Sequence, residues 1–127
     1  DRPGLLGDRQ IVYGRSAELI ARSRLVLSHV STALGLVVLF GKPVMLVVTE
    51  DHYRLTPGHA GAFDQAARSL GTPLRFIDDP AGTDLSGARS VDAEAYARYA
   101  SRYIRHPDAP QGLLWDIVLD RIEGRTG

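Results

Sequence analysis

Ser28-His29-Val30-Ser31-Thr32-Ala33-Leu34-Gly35, continuing through Phe40-Gly41-Lys42-Pro43 into Val44-Met45-Leu46-Val47-Val48-Thr49-Glu50, is the stretch whose reading decides the fold. Leu25-Val26-Leu27 just before it and Val44 to Val48 within it are short, uninterrupted apolar runs. That is the pattern of strands covered on both faces in a parallel sheet. Ala33 to Phe40 carries no charge, so it is expected to form a largely buried helix, stopped by Gly41 and Pro43. The polar atoms gather at Ser28, His29, Ser31 and Thr32, where the first strand ends and the helix begins. In an open α/β sheet this is the carboxyl edge, where ligands sit, and the backbone N–H of Ala33 and its neighbours suits a phosphate. An ordinary helix start explains the same letters: a Ser31 or Thr32 hydroxyl capping an orphan N–H, and His29 as a hydrogen-bonded loop residue.

Upstream, Asp1 to Asp8 is rich in Gly, Pro and charge, so residues 1–9 read as a linker. Ile11-Val12-Tyr13 is expected to be a short strand and Gly14 a turn. Ser16 should then cap a short helix, with Glu18 in its first turn and Leu19 and Ile20 facing inward. Downstream, Asp51 to His59 reads as a polar loop on the same rim as Ser31. Phe63, Ala66, Ala67 and Leu70 fall on one face of a helix from Ala60 to Leu70, ended by Gly71. Leu74 to Ile77 is the next strand, broken by Asp78-Asp79-Pro80-Ala81-Gly82, and Thr83 to Ser90 is a small polar loop. Asp92 reads as an N-cap, with Val91 and Tyr96 as a hydrophobic staple. Tyr96, Tyr99 and Tyr103 form an aromatic packing stripe that ends at His106-Pro107. Leu114, Ile117, Val118 and Ile122 mark a final amphipathic helix, which Trp115 could anchor. The order βαβαβαβ then αα predicts one α/β domain over residues 1–127: a mainly parallel sheet, helices on both faces, and two C-terminal helices.

Composition narrows the function classes. A hydrophobic share of 44% and a charged share of 24% are those of an ordinary globular domain. A formal net charge of zero gives no bulk attraction for nucleic acid or an acidic membrane. With no cysteine, disulfides, thiolate metal sites and cysteine nucleophiles are excluded. No apolar run is long enough to span a bilayer and no signal peptide is visible, so the expected compartment is the cytoplasm. Lys42 is the only lysine among the fifteen basic residues. The chain opens at Asp1-Arg2-Pro3-Gly4 without methionine, and it is expected to be a piece of something longer.

The common site motifs are missing. Neither the dinucleotide-binding glycine fingerprint nor the P-loop occurs, and there is no nucleophile elbow. His52 and His59 do not have the i, i+4 spacing of a helical zinc pair and no third ligand is evident, so no metal and no cofactor are expected. Ser31 and His29 lack an orienting carboxylate, which leaves the catalytic residues unassigned. Glu50 directly follows a buried strand, on the rim of Ser31 and Thr32. It reads as a partner for sugar or ribose hydroxyls, as a base, or as a solvated loop glutamate.

Several runs carry a resemblance: Ile11-Val12-Tyr13-Gly14, Ser16-Ala17-Glu18-Leu19-Ile20, Ser23 to Ala33, Leu39-Phe40-Gly41-Lys42-Pro43-Val44, and the closing Tyr103-Ile104-Arg105-His106-Pro107-Asp108. From about Gln10 onward the chain resembles the C-terminal, Rossmann-like half of GT-B-type glycosyltransferases, particularly those of bacterial capsule and surface-polysaccharide synthesis. The resemblance implies that Ser28, His29, Ser31, Thr32 and Ala33 bind the phosphates of a nucleotide-sugar donor. Thr49-Glu50 matches the Thr-Glu that sugar-nucleotide 2-epimerases of the same fold carry after the equivalent strand, which implies sugar or ribose binding there. The epimerases' glycine-rich corner is absent.

A GT-B protein has two such domains, and its general base usually comes from the N-terminal one. Against that pattern, this chain is expected to hold neither that domain nor the first two strands of the second. If the family's strand order is kept, Ile11 to Tyr13 is expected to lie away from the Leu25 strand, and exposed edges beside the gap between them would favour a homodimer or contact with the N-terminal domain. Two alternatives stand beside the donor-binding reading: a non-catalytic α/β association module, and a part of a sugar-nucleotide 2-epimerase.

Overall fold

Val44–Val48 form a strand, β2, that is apolar on both sides, and this places it in the middle of the sheet. The computed structural model describes residue 7 and residues 9–79, 84–85 and 88–124. In it, β1 (Val26–Ser28) and β3 (Leu74–Phe76) flank β2, both parallel to it, in the order β1-β2-β3. Val26, Leu27 and Ser28 pair with Val44, Met45 and Leu46; Leu46, Val47 and Val48 pair with Leu74, Arg75 and Phe76. The helices α1 (Ser16–Arg22), α2 (Leu34–Leu39), α3 (Glu50–Leu55), α4 (Pro57–Leu70), α5 (Ala93–Tyr99) and α6 (Leu114–Ile122) complete the described α/β fold. A π-helical segment, Ala100–Ile104, continues α5.

Residues opposite each other in register point to the same side of a sheet. Val26, Val44, Leu46 and Leu74 therefore share one face. They join one core cluster with Ile20 of α1, Leu34, Val37 and Val38 of α2, Leu70 of α4 and Tyr96 of α5. The strand order runs one way, and right-handed crossovers then carry α2 and α4 over the same face. On the other face Met45 is fully buried while its neighbour Leu27 is 55% exposed.

Helix ends follow from local chemistry. Both α2 and α4 close in the same way, with Gly41 and Gly71 at positive φ of 57° and 61°. Lys42 N–H reaches Val37 C=O and Thr72 N–H reaches Ala67 C=O, so the last carbonyls are satisfied. Asp92 caps α5, its carboxylate accepting from Ala95 N–H at 2.9 Å. The Tyr96 hydroxyl donates to Lys42 C=O at 2.8 Å, fastening α5 to the Gly41-Lys42-Pro43 turn.

Four expectations need correction. Ile11-Val12-Tyr13 is not a strand: it has no partner, Ile11 and Tyr13 are exposed, and an isolated three-residue strand leaves its N–H and C=O groups unpaired. Ser16 does not cap α1; the cap position is Arg15, without a side-chain hydrogen bond, and Leu19 is exposed while Ile20 is buried. Asp51 to His59 is not a loop but the body of α3 and the start of α4. Trp115 does not anchor α6, since it is 72% exposed and no residue of that helix is buried. The rest of the 1–8 linker, Pro80 to Thr83, and residues 86 and 87 of the polar loop lie outside the described residues.

Candidate functional site at the carboxyl edge of the sheet

Three of the four histidines meet beyond the carboxyl ends of the strands. His29 follows β1 directly, His52 lies in α3 after β2, and His59 sits in the first turns of α4. The His29 ring stands edge-on to His52 with centroids 4.9 Å apart and edge-on to Phe63 at 4.5 Å. His52 and His59 stack at 5.5 Å, and His59 Nδ1 lies 3.3 Å from His52 Nε2. Phe63 is wholly buried beneath them. A cavity of about 180 Å³ is lined by His29, Val30, His59, Ala62 and Phe63, with an apolar floor and imidazole walls.

Local geometry holds the trio. Thr49 caps α3 by accepting from His52 N–H at 3.3 Å, which fixes the turn carrying that ring. The Thr56 hydroxyl donates to His52 C=O between the two helices. The Tyr53 hydroxyl donates to both Asp64 oxygens at 3.0 Å, tying α3 to α4. That hydrogen bond to Asp64, with burial second, pushes the Tyr53 phenol above its usual range.

The corner anticipated from sequence is partly used up by its own backbone. Ser28 Oγ donates to His29 C=O at 2.6 Å, and Ser31 Oγ accepts from Ala33 N–H at 3.2 Å. Neither Ser31 nor Thr32 occupies the α2 cap position, which is Ala33 without a side-chain cap. Thr32 is exposed at the entrance of this turn. Glu50 opens a separate site. Its backbone N–H donates to both oxygens of Asp78, at 2.9 and 3.2 Å, while its carboxylate pairs with Arg54 at 2.6 Å. Glu50, Phe76, Asp78 and Asp79 line a cavity of about 270 Å³. The edge thus carries a histidine cavity on the β1 side and an acidic one between β2 and β3.

Comparison with protein families, with curated proteins and with solved structures finds no match for this chain. Among the described residues, no group of three or more histidine or acidic side chains is arranged to hold a metal ion. No described helix is long and apolar enough to cross a membrane.

The sequence reading treated His52 and His59 as separate loop residues and so missed the trio. The signals were present: Thr49 before Glu50-Asp51 is a cap followed by first-turn carboxylates, and Thr56 before Pro57 is the usual start of a second helix. With both helices in place, the break between them at Thr56 is what brings the two rings together.

Proposed function

We propose that the chain is the donor-binding part of a GT-B-type glycosyltransferase of surface-polysaccharide synthesis, holding the phosphates of a nucleotide sugar at the corner formed by His29, Ser31 and Thr32. The observation that carries this reading is the meeting of the His29, His52 and His59 rings, with His29 and His59 lining a cavity, at the carboxyl edge of a parallel sheet, where open α/β folds take their ligands. Imidazole N–H groups donate to phosphate oxygens and stabilise charge that develops on a leaving diphosphate. Phe63 supplies an apolar floor that keeps water from the inner side. Thr49 is committed to its helix, so the sugar or ribose hydroxyls would meet Glu50, with Asp78 beside it. In this reading a second domain supplies the general base, and a further helical layer covers the Leu27 face. The chain then binds donor in the cytoplasm but transfers no sugar alone.

The test is a thermal-shift series on the purified chain with UDP, CMP, GDP and their sugar-linked forms. A ligand at about ten times its Kd adds about 1.4 kcal/mol, on the order of five degrees at this size. The expected result is a shift selective for one base that disappears in His59→Ala and in the Ser31→Ala/Thr32→Ala double variant, with far-UV circular dichroism unchanged. No shift with any nucleotide at millimolar concentration would overturn the reading.

A second reading, an association module, is favoured by the apolar side chains of Leu114, Trp115 and Ile122, each about 70% exposed or more along α6. Sedimentation velocity separates the two: concentration-dependent association without nucleotide binding supports the module.

A further inference from the structure

A third cleft lies away from the carboxyl edge, between the C-terminal half of α4 and the junction of α5 with its π-helical continuation. It has a volume of about 150 Å³ and is lined by Arg68, Ser69, Arg98, Tyr99, Arg102 and Tyr103. Three arginines thus line one small space on a chain whose net charge is zero. Arg98 has a weak pairing with Glu94, at 3.5 Å between exposed groups. Among the described residues neither Arg68 nor Arg102 forms an ion pair.

The neutral groups of the cleft are turned the same way. The Gln65 amide nitrogen donates to Ser69 Oγ at 3.2 Å and to Tyr103 Oη at 3.4 Å. Each hydroxyl therefore accepts from Gln65 and keeps its own hydrogen to donate. The Arg102 guanidinium lies over the Tyr103 ring, 5.3 Å from its centroid, an arrangement that holds its plane while leaving its N–H edge to bind. The π-helical segment carries Arg102 and Tyr103; such segments interrupt regular helices where a side-chain constellation is being placed. The polar groups of the lining, three arginines and two hydroxyls, are thus hydrogen-bond donors.

We propose that this cleft binds a phosphoryl group, as carried by a small phosphate monoester, with Arg68, Arg98 and Arg102 neutralising the dianion and the Ser69 and Tyr103 hydroxyls completing its hydrogen bonds. Guanidinium forks match phosphate oxygens two at a time, which makes arginine the natural residue for this task. The site is independent of the histidine cavity, so its fate does not depend on the nucleotide-sugar reading.

The probe is inorganic phosphate, titrated into the full chain at constant ionic strength and followed by isothermal calorimetry and phosphorus NMR. Saturable binding is expected, weakened about tenfold in Arg102→Gln and again in Arg68→Gln, as loss of charge-assisted hydrogen bonds requires. Arg102→Lys, which keeps the charge but not the fork, should fall between wild type and Arg102→Gln. The proposal is overturned by an absence of saturable binding at millimolar phosphate or by Arg102→Gln binding as wild type.

Discussion

Gly71 and Asp92 meet where the end of α4 lies against the start of α5, and a side chain at Gly71 would disturb Asp92. A Cβ built on Gly71 would lie 2.7 Å from an Asp92 carboxylate oxygen, and the residue sits at a φ of +61°. Gly71→Ala combines left-handed strain with displacement of the α5 cap, so a loss of about 1–2 kcal/mol or more in urea unfolding is expected. Asp92→Ala removes only the cap and should cost about 0.5–2 kcal/mol. Tyr96 offers a pH test. Burial raises its phenol from 10.0 to about 12, so the folded state favours the neutral form. A group raised on folding contributes fully below its unfolded value and loses that contribution as pH climbs through the folded one. Wild-type stability should therefore drop between about pH 10 and 12. Tyr96→Phe loses the hydrogen bond to Lys42 at neutral pH but lacks this alkaline component, which denaturant melts at several pH values would show.

At the scale of elements, what could be read from sequence divides by how local the cause is. β2 is found over Val44–Val48 as its apolar run predicts. Gly41, Gly71 and Asp92 mark helix boundaries because backbone conformation and capping are decided within a few residues. Ile11 to Tyr13 misled because three β-prone residues make a strand only if a neighbour is present, and that is not a local property. The histidine trio was hidden for a related reason: its members come from three elements, and its geometry depends on the helix break at Thr56. Tyr53→Phe probes that break. It removes the link from α3 to Asp64 of α4 and should cost about 0.5–1.5 kcal/mol in thermal or urea melts. In the proposed function, nucleotide affinity should fall with it, because His52 rides on the loosened helix.

Across the whole molecule, the core and the candidate site share Phe63, which is fully buried and carries His29 against its ring. Phe63→Ala should cost about 3–5 kcal/mol, read from denaturant unfolding, and collapse the histidine cavity. α6 behaves in the opposite way. With no buried residue of its own, it should accept Leu119→Ser within about 0.5 kcal/mol, while any self-association of the chain weakens in sedimentation. The central position of β2 has a further consequence, for the order of folding events. Both of its neighbours are parallel, so neither pairing can start from a tight hairpin, and each waits for a helical crossover to close. Helices should therefore appear before the sheet in stopped-flow refolding. Once formed, the amides of Val44–Val48 should be the slowest in the molecule to exchange with deuterated solvent, since freeing them requires both flanking strands to leave.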